Sequence, residues 1–213
     1  KLKLADDVMT ISPLGVDLET MKLDDAERID FRRAHRLGNR LVIVNAGKQY
    51  PEKRIEWVIE VAAAAKAKGA EIALVLVGSA DEHYEQQIAE ALTQLNAPTI
   101  RLPFLSREKL RRVYAGCDVG IWPGIPSNTI QEAMSCGCAM ILPDDDIVGH
   151  LVDENGIKTA TNVDVAAKYL VSLSQNEDQL TKAQSASIEI ARRYSWSNIT
   201  QDLMRIYTRY STQ

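Results

Sequence analysis

Two lysines, one glutamate, one phenylalanine and a run of small polar residues carry the chemistry open to this sequence. Lys48 and Lys53 stand five residues apart in Gly47-Lys48-Gln49-Tyr50-Pro51-Glu52-Lys53, one before a helix start and one just inside it. Two ammonium groups converging on one crevice suit a diphosphate. Taken alone, they read as solvated surface lysines. Ser127-Asn128-Thr129-Ile130 opens a short helix carrying Glu132, Gly137 closes it, and an apolar strand follows at once. The first N–H groups of a helix lack intrahelical partners, and the helix dipole favours an anion there, so a phosphate fits. Set in a cleft, the Glu132 carboxylate accepts hydrogen bonds from two ribose hydroxyls. Thr129-x-x-Glu132 is also a capping-box pattern, in which the same carboxylate only satisfies backbone N–H groups. Phe104, in Arg101-Leu102-Pro103-Phe104-Leu105-Ser106, offers a ring to stack on a base, or else a core aromatic at a strand end.

For these residues to meet, three loops must leave one edge of a sheet. Leu41–Ala46 and Ile72–Val77 are continuous apolar runs, the pattern of strands covered on both faces. Shorter strands are predicted over 8–12, 99–102, 118–122 and 139–142, and helices over 24–37, 52–68, 82–95 and 106–115. From Val163 the pattern is helical, with breaks near Gln175-Asn176 and near Ser195. Strands alternating with helices through short connections, each crossover right-handed, build five or six parallel strands with helices on both faces. The predicted fold is an α/β, Rossmann-like doubly wound parallel sheet. It is read as one domain over 1–213, including the helical segment from about 163. Such sheets bind ligands beyond the carboxyl ends of their strands, where all three loops would lie.

The bulk numbers exclude several classes. With 213 residues, 46% hydrophobic, 25% charged and a net charge of −4, the chain can bury a core and shows no basic face for nucleic acid. No apolar run approaches a membrane span, and the N-terminus lacks a signal-peptide core and an initial Met, so a piece of a longer protein is expected. Cys117, Cys136 and Cys138 form no paired framework, which fits buried thiols in a reducing, cytoplasmic setting. Cys136-Gly-Cys138 has no second Cys or His pair at ligand spacing, so no metal site is expected. His35, His83 and His150 lie far apart, and the Asn198-Ile-Thr200 sequon matters only for a secreted chain. Neither Gly-x-x-x-x-Gly-Lys-Ser/Thr nor Gly-x-Gly-x-x-Gly follows any strand, which argues against a nucleotide hydrolase and a nicotinamide oxidoreductase.

The three loops, in this order, resemble the C-terminal half of a retaining nucleotide-sugar glycosyltransferase of family 4, with the GT-B fold. Ile11-Ser-Pro-Leu-Gly-Val-Asp17 resembles the family's Ile-Pro-Asn-Gly-Val-Asp opening. Ala46-Gly-Lys-Gln-Tyr-Pro-Glu-Lys53 resembles its Gly-Arg-x-x-Pro-Glu-Lys loop, and Leu74-Val-Leu-Val-Gly78 its Val-Gly strand end. Val113-Tyr-Ala-Gly-Cys-Asp118, followed by Trp122-Pro123, is similar to its Tyr-x-x-Ala-Asp segment. Gln131-Glu-Ala-Met-Ser-Cys-Gly137 resembles its Glu-Ala-Met-Ala-Cys-Gly signature, and Asp153-Glu-Asn-Gly156 its Asp-Gly-x-Asn-Gly turn.

The resemblance implies roles position by position. Lys53 falls on the lysine that contacts the donor diphosphate, and Lys48 where the family usually has arginine, keeping the charge but losing the bidentate fork. Glu132 falls on the second glutamate of Glu-x7-Glu, which holds the ribose hydroxyls. Backbone N–H groups near Asn128, Thr129 and Ile130 fall on those touching phosphate and hexose, and Pro103-Phe104 on the base-binding turn. The first glutamate of Glu-x7-Glu is replaced by Gly124, which leaves the sugar to Ser127 or Asn128 and assigns no catalytic residue. The expectation is a donor-binding domain for a UDP- or GDP-sugar, transferring a hexose without a metal. A glycan or lipid-linked acceptor would be held by an N-terminal domain outside this chain. The alternative is a non-catalytic nucleotide-sugar-binding domain.

Overall fold

Alternation along the strands divides the apolar side chains between two cores. The computed structural model describes residues 13–159 and 161–211, with backbone alone for 209–211. In β1 (Leu41–Ala46), Val42, Val44 and Ala46 enter one core while Leu41 and Ile43 enter the other. β2 (Ile72–Val77) divides likewise, with Ala73, Val75 and Val77 opposite Ile72, Leu74 and Leu76. A period of two across a sheet buried on both faces produces this split.

Six strands pair in parallel in the order β3-β2-β1-β4-β5-β6, with β3 at Thr99–Leu102, β4 at Val119–Ile121, β5 at Ala139–Leu142 and β6 at Gly156–Lys158. This is a doubly wound α/β sheet, as the alternating pattern implied. One core takes side chains from α1 (Asp25–Ala34), α4 (Arg107–Ala115), α5 (Thr129–Ser135) and α7 (Glu177–Arg193). The other takes side chains from α2 (Ile55–Ala67), α3 (Glu82–Leu92) and α6 (Val163–Gln175). α8 (Trp196–Ser211) follows the break at Ser195.

Local chemistry sets the helix ends. Asp24, Asp81, Asn162 and Asn176 each accept a backbone N–H three residues on, which caps α1, α3, α6 and α7. Asp118, buried just before β4, is clasped by Arg28 at 2.5 Å and Arg32 at 3.1 Å and accepts from Val42 N at 2.7 Å. That pairing keeps its charge tolerable away from water.

Two differences from the predicted elements have physical causes. The helix predicted over 52–68 splits into a 3-10 turn at Pro51–Lys53 and α2, because Arg54 between them is left-handed, with φ 56° and ψ 49°. Tyr84 of α3 then serves α2 in place of a side-chain cap, accepting from Ile55 N at 2.8 Å. The edge strand β6 has only three residues and no apolar run, so it gives no periodic signal. Gly156 makes its pairing possible, since a Cβ there would lie 2.0 Å from Met140 O. The predicted strand over 8–12 lies outside the described residues.

Candidate functional site

Strand order reverses between β1 and β4, and the crevice beyond their carboxyl ends is the place where a doubly wound sheet takes a ligand. Close backbone approach shapes its floor. A Cβ on Gly78, after β2, would lie 1.9 Å from Gly47 O, after β1; both glycines have φ of +134°. Only glycine lets the two loops touch there. Thr129 fastens α5 to the same spot, donating its hydroxyl to Ala46 O at 3.0 Å and pairing with the Ser127 hydroxyl. Trp122 donates its indole N–H to Ala46 O at 3.1 Å. The loops after β1 and β4 are therefore tied to one carbonyl.

Above this floor a cleft of about 310 Å³ is lined by Gly47, Phe104, Ser106, Arg107, Asn128, Thr129 and Glu132, among others. Phe104 is 74% exposed, so the reading of it as a core aromatic does not hold; the turn at Pro103 swings the ring outward. The capping-box reading of Glu132 falls too. Asn128, the residue before α5, makes no side-chain cap, and Thr129 spends its hydroxyl on Ala46. The Glu132 carboxylate instead meets Arg107 Nε at 3.2 Å. Burial pushes the Glu132 carboxyl above the usual carboxylate range, and Arg107 opposes that shift. Arg107 was not singled out by motif; its position one residue into α4, directly after the Phe104 turn, is the signal that points to it.

The other residues divide. Lys48 is exposed beside Gly47, and among the described residues it has no ion-pair or hydrogen-bond partner. Lys53 is only 8% exposed, and its ammonium donates to Ile125 O at 2.6 Å and Pro126 O at 3.1 Å. An ammonium has three protons, so one remains for a ligand. Burial lowers its pKa from the ordinary lysine value. The two lysines thus do not present equivalent charges. Of the amides expected to be free, Ile130 N donates to Ser127 O at 3.1 Å, and α5 itself is only seven residues long. Ser127 and Ile130 line a separate, mostly apolar hollow of about 660 Å³ with Leu14, Pro126, Gln131 and Ile147. The ring of unpaired amides is therefore smaller than the sequence suggested.

At Gly124 the chain lies directly against the Lys53 turn. A Cβ there would sit 1.9 Å from Glu52 O and 2.9 Å from Lys53 Cα, and Ile125 N donates to Glu52 O at 3.1 Å. No side chain fits at this position without moving backbone. Among the described residues no group of three or more His, Cys, Asp or Glu is arranged to hold a metal ion, and no helix is long and apolar enough to cross a membrane.

Structures of the same fold carry nucleotides in several cases. Anabaena Alr3699/HepE, solved in complex with UDP and glucose, superposes with a TM-score of 0.78 at 20% identity, covering 91% of this chain and 55% of that one. Sucrose-phosphate synthase from Thermosynechococcus elongatus gives 0.78 at 19% identity, covering 94% and 52%. The C-terminal domain of LpcC, a glycosyl transferase group 1 family protein from Francisella tularensis, gives 0.72 at 16%, covering 85% of this chain and 100% of that domain. At these identities the likeness is one of fold, that of GT-B glycosyltransferase domains. This chain spans little more than half the length of the first two. No curated protein sequence matches it significantly. The family model "Glycosyl transferases group 1" matches residues 27–193, and this chain belongs to that family.

Proposed function

We propose that this chain is the donor-binding half of a nucleotide-sugar-dependent hexosyltransferase of the retaining family 4 type. The observation that carries this reading is one cleft at the strand-order reversal, shared by an exposed aromatic ring, a half-exposed guanidinium and a buried carboxylate. Phe104 stacks on the base, and Glu132 accepts from the ribose hydroxyls. The diphosphate lies toward Gly47, where Lys48 and the remaining proton of Lys53 meet its charge as the sugar leaves. These cations do the work a divalent metal would otherwise do. Ser127 or Asn128 reaches the hexose, and of the two Asn128 lines the cleft itself. UDP in the HepE complexes supports a uridine donor, with GDP the alternative. The acceptor, a glycan or lipid-linked sugar, is held by a further domain, in a cytoplasmic protein that builds polysaccharide or glycolipid. The chain alone then binds donor without transferring it.

Isothermal titration of UDP and GDP into the folded chain tests this. Micromolar binding of one of them is expected, and heat from neither would refute the assignment of the cleft.

A second reading, a nucleotide-sugar-binding domain without catalysis, is favoured by one observation. Gly124 has no room for the glutamate that the family pattern puts there. Assay of the whole protein with several donors separates the two: binding without hydrolysis or transfer supports this second reading.

A further inference from the structure

The Arg107–Glu132 pair joins the first turn of α4 to the first turn of α5 across the mouth of the cleft, with side-chain exposures of 55% and 11%. A carboxylate withdrawn this far from water stays ionised only with a counter-charge or a set of donors. Its own helix carries no cation, and the other cations of α4 are turned elsewhere. Arg111 pairs with Glu27, Arg112 with Glu27 and Glu108, and Lys109 is exposed, so among the described residues only Arg107 forms an ion pair with Glu132. Tyr114 of α4 and Cys136 at the end of α5 face Glu132, and burial holds both in their neutral forms. Arg107 also faces Asp17, in the loop before α1, but that carboxylate is already engaged by Glu19 N, Thr20 N and the Thr20 hydroxyl. The guanidinium therefore has one principal carboxylate, and it meets that one through Nε.

Resting on the reading of this cleft as a nucleoside-diphosphate site, we propose that Arg107 is a positioning residue that holds Glu132 ionised and aimed at the ribose hydroxyls. An ionised carboxylate is acceptor-only, so it takes the protons of both hydroxyls; once protonated it must spend one oxygen as a donor. Arg107 keeps it in the first state. The planar guanidinium also fixes direction, because Nε approaches one carboxylate oxygen and leaves the other for the ligand. Lysine at 107 would keep the charge and lose the direction. Arg107 is exposed and lies outside both cores, so replacing it leaves the packing of the fold untouched.

The test reads ribose recognition rather than stability. UDP, GDP and their 2′-deoxy forms are titrated into the wild-type chain, Arg107→Ala and Arg107→Lys, between about pH 5 and pH 8. Thermal melts establish that each variant is folded. The wild type should prefer ribose over deoxyribose. Arg107→Ala should lose that preference, bind the ribonucleotide about tenfold more weakly at neutral pH, and fail at a higher pH on acidification. Its affinity for the deoxy form should hardly change. Arg107→Lys should restore the acid midpoint but not the full ribose preference. A folded Arg107→Ala chain with unaltered ribose discrimination and an unaltered acid midpoint would overturn the proposal while leaving the cleft assignment intact. A wild-type chain that binds neither nucleotide would instead remove the assignment, and the proposal with it.

Discussion

The two halves of the cleft are built on opposite plans. On the side of β3 and α4, the functional groups are side chains left available: Phe104 stands in solvent and Arg107 reaches Glu132 through a single nitrogen. On the side of the loops after β1 and β4, backbone meets backbone. Gly124 lies on Glu52, Ile125 N donates to Glu52 O, and two of the three Lys53 ammonium protons go to Ile125 O and Pro126 O. The nucleoside half can adapt to a ligand, whereas the phosphate and sugar half is shaped before any ligand arrives. A motif lysine with most of its donors already engaged supplies charge and scaffolding together, and its neighbour Lys48 is left as the freer cation.

Substitutions can break this contrast, and the largest effect is expected on the nucleoside side. Glu132→Ala should weaken UDP or GDP binding about a hundredfold, the loss of two hydrogen bonds to an ionised group; titration calorimetry reads it, and a loss below threefold would contradict the ribose role. On the other side, Gly124→Ala should cost about 2 kcal/mol of stability from overpacking, lowering Tm by about 4–8 °C in a chain of this size. A melting curve that does not move would mean the loop relaxes freely and the close approach is not enforced. Phe104→Ala should leave Tm unchanged within about 0.5 kcal/mol, because the ring packs on little. It should still weaken nucleotide binding by about fivefold to tenfold through lost stacking. The smallest effect sharpens the difference between the lysines. Lys48→Ala should reduce affinity by about threefold, in a salt-dependent way, with no change in stability. Equal losses of stability from Lys48→Ala and Lys53→Met would erase the distinction.

Much of the fold was legible because it rests on local, periodic signals. β1, β2, β3 and β5 begin and end where the predicted strands do, and the α6–α7 break falls at Asn176, which caps the second helix. β6 and the Arg54 kink escaped, since three residues carry no period and nothing in an arginine announces a left-handed backbone. In the site, the sequence pointed to Phe104, Asn128, Thr129 and Glu132, which share one cleft. It left the Phe104 and Glu132 readings open, and solvent exposure and the Arg107 pair decided them. The partition of Ser127 and Ile130 into a neighbouring hollow had no sequence signal at all.

By itself, the sequence determined the alternation of strands and helices, the two-sided sheet and the family, because periodicity and motif are properties of neighbours along the chain. Only the tertiary structure decided which charges are available. Whether Lys53 faces a phosphate or a carbonyl, and whether Glu132 caps a helix or meets Arg107, depends on groups between 25 and 73 residues away. Coulombic and hydrogen-bond energies fall within a few ångströms of space, and separation along the chain does not enter them.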